Sequence, residues 1–431
     1  MSWERSTQVA KKAVNHRGVG LLLIGILLGL IPAQAAHADT ISVCDSGCDF
    51  TTIQAAVDDP STVAGDVIQV FDAVHVEQGI AVTKDVTIQG QGAGSTTVEA
   101  HETPGSATDR VFHVAGGVSV TIKDVTIRHG NPTECPMYGG GITNEGVLTL
   151  ENVVVSDNTA KSGGGIVNQG KLTLVNCTVR DNASTGVGKR RGSGGGIKSM
   201  GGQLTILDST ICGNSAAGRG GGIKLCCNST LDLINSTISG NDAQREGGGI
   251  HIRGVVTITH STISDNSASA GGGVLVRGNS DHTLGILDIT NTIVANNVAG
   301  GDCTVGDEGT IGANANNLVG DGSCSPAYAG DPKLAPLANN GGATWTHALL
   351  PGSPAIDAIP AKSCTLTADQ RGESRPAGRA LAAPRCDVGA FERQADTTPS
   401  TNLLAAGGLA AALLILAIAG LAIRRRRRTA G

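Results

Sequence analysis

The chain has 431 residues, a formal net charge of −5, 63 glycines and only 2% aromatic residues. A core so poor in aromatics must rest on Ile, Val, Leu and Ala, and the length suits several globular domains or one array whose units bury their faces on each other. With the basic ends described below set aside, 23 basic residues face 36 acidic ones, and an acidic surface argues against nucleic acid or anionic lipid as partner.

Residues 1–38 read as a signal peptide. Lys11, Lys12 and Arg17 precede an apolar run from Gly18 to Ile31, and Ala36-His37-Ala38 has the small-x-small pattern of a cleavage site. The mature chain is then expected to begin at Asp39, outside the cytoplasm. From Phe50 to Val57 an Ile-Ala-Val stripe at helical spacing predicts a short amphipathic helix, and Gly65–Val70 and Val86–Gly90 read as strands. A helix followed by strands is what the open end of a solenoid needs as a cap.

One repeated stretch then dominates. It is clearest from Gly139 to Asn158 and recurs from Gly163 to Asn182, Gly194 to Asn214, Gly220 to Asn241, Gly247 to Asn266 and Gly271 to Asn297. Each copy has three glycines, an aliphatic residue, a Leu-Thr-Leu-like run and a terminal Asn. The step from the Leu-Thr-Leu run to the Asn is about ten residues every time, while the period drifts between 24 and 32. The corner between those elements is therefore fixed, and insertions enter elsewhere, at Ala183–Ser193 with Lys189, Arg190 and Arg191, and at Arg277–Leu284.

Alternation of apolar and polar residues with Gly, Asn and Asp punctuation predicts three short strands per copy, hence an all-β, parallel β-helix. Stacking at about 4.8 Å would align the Ile after each glycine run in an apolar column. The recurrent Asn suits a corner because it tolerates left-handed angles and its amide can hydrogen-bond to the next along the axis. The glycine runs allow a path that a Cβ would block.

Three resemblances follow from these residues. The Thr52-Ile53-Gln54-Ala55-Ala56-Val57-Asp58 and Gly65-Asp66-Val67-Ile68 segments resemble the N-terminal entry of the pectin-lyase-like right-handed β-helix superfamily. The glycine-run and Asn repeats are similar to those of bacterial polymorphic outer membrane proteins, without their Phe. From Asp302-Cys303 through Asp331-Pro332, Asn339-Asn340-Gly341-Gly342, Thr346-His347, Gly352-Ser353-Pro354, Asp369-Gln370-Arg371-Gly372 and Cys386-Asp387-Val388-Gly389-Ala390-Phe391-Glu392 the chain resembles the choice-of-anchor C-terminal domain of secreted bacterial β-helix proteins. That last resemblance implies a surface protein and no reaction. With proximity in sequence, it also implies the disulfides Cys44–Cys48, Cys303–Cys324 and Cys364–Cys386 among eleven cysteines. Cys177, Cys212, Cys226 and Cys227 are left open between small buried residues and bridges.

At the C-terminus a polar tether leads to an uncharged apolar run from Leu403 to Ile423 and then Arg424–Arg428. This predicts one transmembrane helix with a cytoplasmic tail and the solenoid outside. The expected divisions are the signal peptide (1–38), N-terminal cap and first coils (39–110), β-helix repeats (111–300), choice-of-anchor-like domain (301–394), linker (395–402), transmembrane helix (403–423) and basic tail (424–431).

Two clusters could carry chemistry. Asp157 and Asp181, with Asp265 equivalent to them, precede the recurrent Asn, and stacked carboxylates about 5 Å apart match a retaining-glycosidase separation. If Ile197, Ile223 and Ile250 point inward, then Lys198, Lys224 and His251 point outward beside Arg253 and Arg277, a basic stripe that could bind an anionic glycan or supply a lyase base. The alternative for both is structural: turn residues in the first case, a solvated face in the second. Beyond the leader, Trp345, Tyr138 and Tyr328 are the only Trp and Tyr residues, which weakens carbohydrate readings. His347 has no nucleophile motif beside it and reads as structural. The Asn-x-Ser/Thr sites at Asn176, Asn228 and Asn235 read as by-products of the repeat.

The expected function is an adhesion, binding or envelope scaffold without catalysis or cofactor, with calcium at the Asp-Asn corners left open. The alternative is a polysaccharide lyase or glycoside hydrolase acting on acidic glycans through the basic stripe or the Asp157/Asp181 pair.

Overall fold

The computed structural model describes residues 38–134, 138–187, 192–278, 285–377 and 384–394. The expected signal peptide, the transmembrane run and its arginines, and Lys189 to Arg191 lie outside the described residues. Among the described residues no helix is long and apolar enough to cross a membrane.

The strands wind into a parallel β-helix with three long faces. The first is an eleven-stranded sheet from Thr40–Val43 to Gly309–Ala315, the second an eleven-stranded sheet from Val74–Val76 to Tyr328–Ala329, and the third a nine-stranded sheet from Ile80–Val82 to Cys303–Val305. The inter-strand pairing within each is parallel, so equivalent residues of successive coils stack in register. Ile142, Ile166, Ile197, Ile223 and Ile250 form one such column on the third face, all fully buried. The helix Ile53–Asp58 covers the first coils with Ile53, Ala56 and Val57 buried.

Three strands per copy was one too few. Five coils carry a fourth short strand before the glycine run, from Thr159–Ala160 to Ser267–Ala270. Nor does the coil stop at residue 300: parallel pairing continues through Cys303–Val305, Gly309–Ala315 and Leu318–Val319 to Tyr328–Ala329.

The corner after the second face holds the expected ladder. The Nδ2 groups of Asn158, Asn182, Asn214, Asn241 and Asn266 each donate to Oδ1 of the next Asn at 2.9–3.0 Å. Asn297 ends the series on Asp302 Oδ1 at 2.9 Å. All five amides are buried, where an unmade bond would cost about 1–3 kcal/mol. A second ladder, of hydroxyls, runs along the corner between the first and second faces. There the backbone N–H groups of Cys177, Ser209, Ser236 and Ser261 donate to Ser209, Ser236, Ser261 and Thr292 Oγ atoms at 3.0–3.3 Å. Just before it, Asn176, Asp208, Asn235, His260 and Asn291 all have positive φ, 48–54°, which accounts for the coil-equivalent sequons at Asn176 and Asn235.

The glycine runs are close-packed backbone: a Cβ on Gly221 would lie 2.5 Å from the Gly248 carbonyl oxygen of the next coil. The three proposed disulfides are present, with Cα–Cα distances of 5.5, 5.8 and 5.9 Å for Cys44–Cys48, Cys303–Cys324 and Cys364–Cys386. Cys177, Cys212, Cys226 and Cys227 are free.

After the last coil the chain returns along the outer side of the second face. Its apolar residues Leu349, Ala355, Ile359, Val388 and Phe391 pack with Ile293, Ala295 and Leu318 of the coil. The quoted C-terminal motifs are the pins. Gln370 Oε1 accepts from Thr237 Oγ1 at 2.6 Å and its Nε2 donates to Thr210 Oγ1 at 3.0 Å. Arg375 Nη1 donates to His260 Nδ1 at 2.6 Å. Gly389, at φ 99°, lets the backbone approach so closely that a Cβ would sit 2.8 Å from Thr262 Oγ1. His347 is likewise structural: its Nδ1 donates to the Ala335 carbonyl and Nε2 accepts from Ser239 Oγ, both at 2.8 Å, with His347 and Ser239 buried.

Candidate functional site

With the second face covered, the outer side of the third face is where side chains converge. Strand register places Ala81, His113, Thr143, Val167, Lys198, Lys224, His251 and Leu275 in one outward column. The residues just before the glycine runs build a second column alongside, because bridges join Tyr138 to Ser162, Ser193 to Arg219, and Arg219 to Glu246.

The expected inward Ile197, Ile223 and Ile250 are inward, but the basic stripe is not a solvated one. Lys224 is 6% exposed and His251 fully buried, because the second column folds over the first. Lys224 Nζ lies 2.6 Å from His251 Nδ1, and His251 Nε2 lies 3.2 Å from Glu246 Oε2. Glu246 also accepts from Arg219 Nε at 2.6 Å and Arg277 Nη1 at 3.1 Å, and Arg277 Nη2 donates to Asp307 at 3.0 Å. A lysine donating to Nδ1 leaves the imidazole proton on Nε2, facing the carboxylate. Burial, then the charge of Lys224, pushes His251 down to about 3, whereas the hydrogen bond from His251 and the charge of Arg219 hold Glu246 at about 2. Burial and Arg253 hold Lys224 well below the usual lysine range. Among the described residues, Arg253 Nε is buried with no acceptor.

Towards the N-terminal coils the same face opens into a polar cleft of about 800 Å³, lined by Asp109, Arg110, His113, Glu134, Tyr138 and Glu145 among others. Arg110 is fixed by Asp109 at 3.1 Å and Thr143 Oγ1 at 2.6 Å, and His113 Nε2 is 3.6 Å from Glu145. Lys198 closes the cleft's lower edge, with Nζ 5.1 Å from the Tyr138 ring centre and 2.9 Å from Ser162 Oγ. Tyr138 thus places an aromatic ring in the cleft, which composition alone did not locate.

The aspartates do not join this site. Asp157, Asp181 and Asp265 are exposed at left-handed corners with φ 56°, 56° and 60°, and the intervening coils place Gly213 and Gly240 there, both at 64°. What the position requires is the backbone conformation, not the carboxylate. Asp181 is in addition paired with Arg180 at 2.6 Å. Among the described residues no group of three or more His, Cys, Asp or Glu side chains is placed to hold a metal.

Arg219, Glu246 and the cleft residues Asp109, Arg110 and Glu145 stand outside the clusters expected from sequence. A signal was available for the first two: both stand immediately before a glycine run, at the position that Tyr138 and Ser162 occupy in earlier coils.

No curated protein matches the chain. Among solved structures, pectate lyase Pel9A is similar at 14% identity and TM-score 0.47, over 83% of this chain and 96% of its own. Pectin methylesterase PemA from Erwinia chrysanthemi is similar at 13% identity and TM-score 0.34, over 64% and 81%. The A-module of mannuronan C-5 epimerase AlgE4 from Azotobacter vinelandii is similar at 16% and 0.32, over 64% and 94%. At these values the likenesses assign no activity. Residues 78–254 match the family model described as the right handed beta helix region, in agreement with the parallel three-faced coil of the structure.

Proposed function

We propose that the protein is an exported β-helix held at the membrane by residues 403–423, and that it works as a binding scaffold, not a catalyst. Its ligand is a saccharide lying in the cleft of the third face. The observation that carries this is the cleft itself: an open groove of about 800 Å³ in which charged and amide groups surround Tyr138, a combination of hydrogen-bonding edges and one aromatic face suited to a sugar ring. A non-catalytic role is supported by the state of the ionisable groups nearby. His251 and Lys224 are buried against each other, and Asp157 and Asp181 stand on exposed corners, so neither of these two clusters presents a free acid and base to a common reacting atom.

The test incubates the protein with neutral and acidic polysaccharides, with and without calcium, and reads both bound glycan and new chain ends. Saturable binding that Tyr138→Ala weakens, with no new ends, is the expected result. New chain ends would replace this proposal with the lyase or hydrolase alternative. Surface placement is tested separately by protease treatment of intact cells, which should remove the solenoid and leave a membrane-retained C-terminal fragment.

A further inference from the structure

The lower half of the third face carries more positive charge than its own carboxylates neutralise. Strand register stacks Arg253 on Arg277 of the following coil, since Ile252 pairs with Val276 immediately before them. Lys224 and Arg219 stand in the neighbouring columns. Like charges on adjacent strands repel, and among the described residues four basic side chains here meet two carboxylates, Glu246 and Asp307. Both carboxylates are already engaged by Arg219 or Arg277. Among the described residues Arg253 Nε has no acceptor and is sealed from solvent while the side chain as a whole is half-buried, and Lys224 is 6% exposed with His251 as its hydrogen-bond partner. A cationic N–H sealed from water without an acceptor is destabilising unless something pairs with it, so this arrangement is poised for an anion.

We propose that Arg253, with Lys224 and Arg277 beside it, forms a binding site for a tetrahedral oxyanion, a sulfate or phosphate group. The guanidinium fork offers two parallel N–H donors matched to such a group. Among the described residues three guanidinium groups, Arg219, Arg253 and Arg277, face Glu246 and Asp307, which leaves positive charge for an anion to meet. Access is open at the outer end of the guanidinium, because Arg253, like Arg277, is partly exposed. The site is separate from the Tyr138 cleft on the same face and stands whether or not a saccharide binds there.

The experiment titrates the full-length protein with sodium sulfate and sodium phosphate at ionic strength held constant with chloride, following heat and thermal midpoint. The variants are Arg253→Gln and, as a control on the second face, Arg180→Gln. Saturable binding is expected for the wild type and Arg180→Gln, and at least a tenfold loss of affinity for Arg253→Gln. In anion-free buffer Arg253→Gln should melt at or above the wild type, since it removes an unpaired charge, and the order should reverse in sulfate. That reversal keeps the test decisive against a simple folding defect. Midpoints that rise with sulfate equally in the wild type and Arg253→Gln would overturn the proposal, as would acetate binding as tightly as sulfate. Binding of the free ions traces the site to the oxyanion itself, whereas binding of a sulfated polysaccharide at least tenfold tighter than sulfate, lost together with it in Arg253→Gln, would identify an ester group as the source.

Discussion

Asn214→Ala removes the middle rung of the amide ladder, and its cost can be followed bond by bond. Asn214 Oδ1 accepts from the backbone N–H and the Nδ2 of Asn182, both at 3.0 Å, while its Nδ2 donates to Val179 O, Cys212 O and Asn241 Oδ1 at 2.9–3.1 Å. Several partners have other bonds. Asn182 Nδ2 keeps Val155 O and Arg180 O, Cys212 O keeps Asp181 N, and Asn241 Oδ1 keeps Asn214 N. The Asn182 backbone N–H does not, and it is left buried and orphaned. One orphaned donor at about 1–3 kcal/mol plus a small cavity gives about 2–4 kcal/mol. Because a solenoid unfolds by segments, the assay is amide exchange resolved by coil. Protection should fall at Asn182 and its neighbours and persist at Asn266. Asn214→Asp is the discriminating variant: it keeps the acceptor for Asn182 but sets a carboxylate against Asn241 Oδ1, so it should be worse than Ala at neutral pH and recover as pH falls. A loss below about 0.5 kcal/mol in Asn214→Ala would refute the view that the ladder's bonds, and not merely apolar stacking, hold this corner.

Other expectations are as direct. His251 and His260 are both pushed down to about 3, chiefly by burial. Their folded-state values lie below the unfolded value of about 6.5, so as pH falls from about 6.5 to 3 the unfolded chain takes up protons that the fold refuses, and stability should drop by about 1.4 kcal/mol per pH unit for each; pH-dependent unfolding of His251→Gln should show a shallower slope. Glu392 runs the other way: burial and Asp387 push it up to about 7, so its contribution is full below about pH 4.3 and is lost as pH rises towards 7, and Glu392→Gln should flatten that loss in the same titration. Gln370→Ala should free the C-terminal segment locally, costing about 2–3 kcal/mol and making residues 332–394 sensitive to limited proteolysis while the coils stay protected. Replacing Cys303 and Cys324 by Ala should cost about 3 kcal/mol by opening a loop of 21 residues, read as a lower denaturation midpoint.

Much of the coil was legible because its determinants are local and repeated. The Asn at a fixed step from the Leu-Thr-Leu run marks a corner whose length cannot vary, and the glycine run marks backbone that nothing with a Cβ can occupy. The fourth strand escaped because Thr159–Ala160 and its equivalents are only two to five residues long and carry no apolar alternation. The hydroxyl ladder escaped because Ser209, Ser236 and Ser261 look like turn residues, and their role appears only when the next coil is stacked on them. The misjudged exposure of Lys224 and His251 has the same origin. Alternation assigns a side chain to the outside of its sheet, but what covers that outside is the stretch before the glycine run, and its fold-back over the strand depends on the left-handed turn at Gly220 and Gly247, φ 67° and 65°.

The three faces are therefore unequal for a reason. The central outward column of the first face carries the short side chains Thr149, Thr173 and Thr205, with longer ones such as Glu151 and Lys171 only at its margins. The second has its Thr210, Thr237 and Thr262 column taken up by Gln370, Thr344 to Trp345 and Gly389 to Ala390. The third alone combines a fold-back that creates depth with long ionisable side chains in two adjacent columns. Those columns change character along the axis, from Asp109, His113, Glu134 and Glu145 of mixed sign around Tyr138 to the cationic group around Arg253. A ligand that used both ends would have to be extended and to span several coils at about 4.8 Å each. That requirement suits a linear polymer better than a small molecule, and it predicts that affinity should rise with chain length until the distance from Tyr138 to Arg253 is covered and then level off.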